Sequence, residues 1–199
     1  MMNSKGQAFS TFQLLISAII ALTILVILLG VLGIIPGLFN ISQNPIDAMV
    51  NKLKDATTKL ATPVHGGKVT FKPEVGIVTS ENLATTADVG LEKEQICISP
   101  GDFMEQTEII SKGETESGEK PWVARNDGSM IKYKGSSREA SFTVICHAPA
   151  TRLRKYIEDD LGPEIKVEWM DGSSFKCACL ESDFYKDQKC CLIVLRFVK

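Results

Sequence analysis

Residues 14–38 read LLISAIIALTILVILLGVLGIIPGL. Only Ser17, Thr23 and small or turn residues interrupt the apolar run. About 20 residues of α-helix cross a hydrocarbon layer of about 30 Å, so the run is long enough to span one. A secretory signal peptide has an apolar region of only about 7–15 residues, backed by a small-residue cleavage site. A helix buried in a water-soluble domain keeps a polar face, and this stretch has none. The run therefore predicts a long N-terminal apolar helix that crosses a membrane.

The surrounding composition sharpens the division. Between Gln7 and Ile46 there is no Asp, Glu, Lys, Arg or His. From Asp47 onward the chain reads like an ordinary water-soluble domain. Its 199 residues suit one such domain plus an appendage. The net charge of -2 excludes the Lys/Arg excess of a nucleic-acid binder, and no nucleic-acid partner is expected. Lys5 is the one charge before the apolar run, which by the positive-inside rule favours a cytoplasmic N-terminus. Asn40 opens the sequon Asn40-Ile41-Ser42, a glycosylation candidate if the following domain lies outside the cell.

Just upstream, residues 5–22 read KGQAFSTFQLLISAIIAL. This resembles the class III signal peptide of archaeal type IV pilin-like proteins. The resemblance covers residues 5–38. It implies that a prepilin peptidase cuts between Gly6 and Gln7, with Lys5 and Gly6 as recognition residues and Gln7 as the new N-terminus. The retained apolar stretch would then rest in the membrane before assembly and pack against other pilin subunits, or copies of itself, in a filament. Leu15 fits the leucine of the family pattern at the ninth mature position. Thr11 stands where many members carry a Glu, and Phe9 where a serine is common. The missing Glu points toward a minor or adhesion-type subunit.

Beyond the run, Pro36-Gly37 is expected to end or kink the helix. Asn44 and Pro45 then mark a helix start. Ile46, Met49, Val50, Leu53, Ala56, Thr57 and Leu60 follow at helical spacing, an amphipathic helix whose stripe is expected to pack on the domain that follows. Pro63 and Gly66-Gly67 close it. Beyond Lys68 the pattern shifts toward period two, with strands expected in KVTFK (68–72), SMIKYKG (129–135) and SFTVICHA (141–148), a short apolar strand in QICIS (95–99) and a final strand in CCLIVLRFV (190–198). Gly135–Arg138 is expected to turn a hairpin. EIKVEWM, DGSS and FKCACL (164–180) read as strand, turn, strand. SENLATTADV (80–89) and TRLRKYIEDDLG (151–162) read as short helices capped by Ser80 and Thr151. Residues 111–121, SKGETESGEKP, read as a polar loop. The expected fold class is α+β: the long apolar helix, then an extracellular head with an antiparallel β-sheet and short helices. The expected divisions are a leader at 1–6, a transmembrane or assembly helix at 7–38, a connector with the amphipathic helix at 39–63, and a disulfide-bearing head at 64–199.

All six cysteines, Cys97, Cys146, Cys177, Cys179, Cys190 and Cys191, follow the apolar run. An even count in a domain placed outside the membrane argues for disulfides, and six cysteines allow 15 pairings. If the last two strands pair, one bridge joins Cys177/Cys179 to Cys190/Cys191, and Cys97 with Cys146 is a second candidate. Zinc knuckles usually present C-x₂₋₄-C on turns, which the C-x-C and C-C spacings do not match, so no metal ligand is assigned. His65 lies in a linker-like turn and His147 follows Cys146 on a strand. No nucleophile motif, phosphate loop or metalloprotease motif is present, and YIEDDL (156–161) reads as a solvated helix face. No enzymatic activity and no cofactor are expected. The expected function is that of a pilin-like surface subunit in the cell membrane, head outside, possibly in a filament. The alternative is a membrane-anchored extracellular binding module that does not polymerise.

Overall fold

A computed structural model describes residues 13–25, 44–73, 76–159 and 176–198. The chain divides into two compact units, Met1–Ile41 and Ser42–Lys199.

In the first unit the described residues form one helix, α1, at 13–25. At 1.5 Å per residue it is about 20 Å long, short of the roughly 30 Å of a bilayer core. No helix among the described residues is long and apolar enough to cross a membrane. The expected long helix over the whole apolar run is thereby corrected. An unbroken apolar composition tells which solvent a segment suits; it does not set how many residues are helical. Pro36-Gly37 lies outside the described residues.

The second unit begins with α2 (Pro45–Thr58), where the Asn44 side chain accepts a hydrogen bond from the Ile46 N–H and Pro45 opens the first turn. The chain continues through β1 (Val64–His65), β2 (Val69–Phe71), β3 (Ile77–Thr79), α3 (Ser80–Ala87) and β4 (Ile96–Ser99). Then come β5 (Thr107–Ile110), β6 (Trp122–Arg125), β7 (Met130–Tyr133) and β8 (Arg138–His147). The elements α4 (Ala150–Asp159), α5 (Ala178–Glu181) and β9 (Cys190–Phe197) complete it.

The strands form two mixed sheets rather than one antiparallel sheet. The first runs β1-β8-β9-β4, with β2 also on β8; the second runs β3-β7-β6-β5. Two pairs are parallel, β4 with β9 and β5 with β6. Strands adjacent in sequence were expected to pair through short turns. Here the polar loop 111–121 instead returns the chain, so β6 lies parallel to β5. The expected Gly135–Arg138 hairpin does not form either, because β7 and β8 belong to different sheets.

Two further differences are local. Thr79, not Ser80, caps α3, accepting from the Asn82 N–H, and α4 starts at Ala150, so Thr151 lies inside it. The described part of FKCACL, residues 176–180, is not a strand: Cys177 precedes the single turn α5. Three alternating apolar residues suit either state, and Leu180 and Glu181 donate their N–H groups to the Cys177 carbonyl. EIKVEWM and DGSS lie outside the described residues.

The central strand of the first sheet explains the core. Along β9, Cys191, Ile193 and Leu195 point into one cluster; Cys190, Leu192 and Val194 point into another. A strand alternates its side chains, so a run buried on both faces reads as continuous apolarity. The larger cluster combines Met49, Leu53 and Ala56 of α2, Leu83 of α3, Val144 of β8 and Trp122 and Ile131 of the second sheet. Phe71, Phe103 and Tyr133 surround the Trp122 ring at centroid distances of 4.7–5.0 Å. The smaller cluster holds Leu153 and Ile157 of α4 against Ile145 and Leu192. Gly101 has φ +57°, and a Cβ there would run into the Leu195 carbonyl oxygen. Only glycine fits that approach without strain.

Candidate functional site

The residues of α1 are exposed, including Leu14 at 66% and Leu22 at 65%. A helix with apolar side chains on every side has no face that prefers water. Its two hydroxyls bond within the helix: Ser17 Oγ donates to the carbonyls of Gln13 and Leu14, and Thr23 Oγ1 to that of Ile19. Both are thus satisfied within the helix. The residues expected to be processed, Lys5, Gly6 and Gln7, and the glycosylation candidate Asn40 lie outside the described residues.

The six cysteines pair completely: Cys97–Cys177, Cys146–Cys191 and Cys179–Cys190. The expectation of disulfides holds, and one bridge does join the C-x-C pair to the C-C pair. The Cys97–Cys146 pairing is corrected. Cys146 and Cys191 face each other in the β8–β9 register and reach into the same cluster. Cys97 points to the opposite face of the sheet, where Cys177 lies. The Sγ atoms of Cys177 and Cys179, in different bridges, are 3.7 Å apart. Those of Cys177, Cys179 and Cys190 all lie within 4.8 Å of one another.

The segment between α5 and β9 is held against the residues before β4. Gln95 Nε2 donates to the Lys189 carbonyl at 2.7 Å and to Gln188 Oε1 at 3.3 Å, and Tyr185 donates to Glu92 at 3.3 Å. Partial burial, then the nearby Glu94 and Glu92 carboxylates, push the Tyr185 hydroxyl above its ordinary value.

A cleft of about 270 Å³ opens where the start of α3 meets the β6–β7 turn and α5. Lys93, Lys112 and Arg125 face Glu81, Glu94 and Asp127 in its wall. Arg125 Nε lies 3.9 Å from Asp127, and among the described residues Nε and Nη2 have no hydrogen-bond partner. A wall of balanced charge selects neither an anion nor a cation, and its lining includes no histidine or cysteine. Sequence reading missed this cleft; the one local signal was the Asn126-Asp127-Gly128 turn, in which Asp127 accepts from Ser129 N–H and Oγ. His65 Nδ1 is 3.0 Å from Thr143 Oγ1 across the β1–β8 pair, and His147 stands opposite Cys190 in the β8–β9 register.

Comparison with known families, curated proteins and solved structures finds no match.

Proposed function

We propose that this chain is a surface subunit of the type IV pilin-like kind, of minor or adhesion type. A prepilin peptidase would release it at Gly6-Gln7, and it would be held in a membrane or filament through its apolar N-terminal segment. The observation that carries the reading is the charge-free stretch from Gln7 to Ile46, set directly behind Lys5-Gly6. The apolar surface of α1 and its internally bonded hydroxyls support it, as does the disulfide framework of the second unit, which suits an oxidising surface. The head acts by contact, and no chemical step is assigned to it.

The decisive experiment is the intact mass of the protein from its native cells, with its N-terminal peptide sequenced. A chain beginning at Gln7 is expected. Replacing Gly6 by a bulky residue should then leave the leader attached, because the peptidase needs a small residue before the cut. A native chain that keeps Lys5-Gly6 overturns the pilin-like reading. It leaves the second one, an anchored binding module that does not polymerise.

A further inference from the structure

The six sulfurs divide by the two faces of β9. Cys146 and Cys191 belong to the larger core cluster, whereas Cys97, Cys177, Cys179 and Cys190 belong to the smaller one. These four are at most 1% exposed and come from three places in the chain: β4, the α5 turn and β9. The sulfurs of Cys177, Cys179 and Cys190 cluster within 4.8 Å of one another, and Cys97 reaches the cluster through Cys177, to which it is bonded.

A zinc ion bound by four thiolates at about 2.3 Å sets neighbouring sulfurs about 3.8 Å apart at tetrahedral angles. The unbonded pair Cys177–Cys179 is already at 3.7 Å. Ribosomes deliver cysteine as thiol, so the four-thiol state precedes the bridged one. We propose that in this thiol state Cys97, Cys177, Cys179 and Cys190 form a closed tetrathiolate site for a soft divalent cation of the zinc class. Oxidation then replaces the site by the bridges Cys97–Cys177 and Cys179–Cys190.

Both steps balance. On binding, four thiols lose four protons and form four metal–sulfur bonds. On oxidation, two external disulfides accept four electrons by thiol–disulfide exchange. Two protein bridges form, four external thiolates leave, and the cation is released. Four buried ligands leave no open position, so the site is structural and not catalytic. It would hold the α5 turn against β4 and β9 while keeping four thiols from wrong pairing. Cys146 and Cys191 take no part. The site is independent of how the N-terminus is processed.

The test uses the full-length chain in detergent, produced with reductant and kept under argon, and titrated with Co²⁺. One cobalt per chain is expected, with the visible bands of tetrahedral thiolate coordination, and one Zn²⁺ should displace it. Zinc-edge X-ray absorption of the unmutated chain should then show four sulfurs at about 2.3 Å. The colour should survive in the Cys146→Ala/Cys191→Ala variant and vanish in Cys177→Ser and in Cys190→Ser. Glutathione disulfide should release the metal as the two bridges form. Absence of the bands, fewer than four sulfurs in the unmutated chain, or cobalt binding that survives Cys177→Ser would overturn the proposal. The sulfur count needs no variant, so a misfolded variant does not obscure the result.

Discussion

Glu108 shows how one side chain ties a loop to a sheet. It stands on β5 and accepts hydrogen bonds from the loop at Ser117, while Lys134 Nζ lies 3.7 Å from its other oxygen. The Ser117 N–H holds its carboxyl below the usual glutamate range; burial opposes it, and the Ser117 hydroxyl and then Lys134 add to the lowering. A carboxyl depressed in the folded state stabilises the fold above its unfolded value of about 4.3. That contribution fades as pH falls through the depressed folded value. Glu108→Gln should therefore lower stability at neutral pH and flatten the acid side of the profile. Urea midpoints of both proteins, measured between about pH 6 and pH 2, should converge at the acid end. Parallel profiles would show that Glu108 is not the group responsible. Gly101 is the matching case for the backbone: Gly101→Ala should cost at least the roughly 1–2 kcal/mol of a left-handed residue, because the added Cβ also meets Leu195.

Among the elements, α2 is the one whose sequence pattern and packing agree most fully. Its cap, its first-turn proline and its stripe through Ala56 were legible, and Met49, Leu53 and Ala56 are fully buried; Leu60, expected on the stripe, lies past the helix end and is exposed. Leu53→Ala should cost about 3 kcal/mol, read as a shift of the denaturation midpoint with unchanged slope. A loss below about 1 kcal/mol would mean that α2 is not integral to the core. The strands at 69–71, 96–99, 130–133, 138–147 and 190–197 were legible for the same reason: alternation or a bounded apolar run. The pairing was not. Parallel partners such as β4 and β9 are far apart in sequence, and nothing local records their register. Trp122–Arg125 was missed because its first three residues are all apolar and buried, so it shows no alternation. The cysteine site was legible only as a set. Which sulfur meets which depends on the face each takes. The α5 turn moved Cys177 and Cys179 off the strand expected for them. The N-terminal helix failed as a length: composition pointed to an apolar solvent, but not to how many residues the helix described at 13–25 contains.

At the scale of the whole molecule, β9 joins the two clusters, and the Cys146–Cys191 bridge fastens it to β8 inside the larger one. The bridge closes a loop across 45 positions of sequence, which by loop-closure entropy stabilises the fold by about 4 kcal/mol. Cys146→Ala/Cys191→Ala should lose an amount of that order, measured by denaturation without reductant. A loss no larger than that of one surface substitution would place the stability of the sheet elsewhere. Unreduced protein should also react with fewer than one thiol reagent per chain, since all six cysteines are paired. Six reactive thiols would contradict the framework.

The place of β9 in the chain also sets an order of events. It follows every other element of its unit, yet it lies between β8 and β4 in the first sheet. During synthesis, Cys146 and Cys179 emerge before their partners exist. The sheet cannot close until the chain through Phe197 is free, so β8 and β4 wait as unpaired edges. A chain stalled before Cys190 would have four cysteines and one correct bridge available to them, Cys97–Cys177. Completion of this fold therefore waits on its last strand, and whatever shelters its thiols must act during that interval.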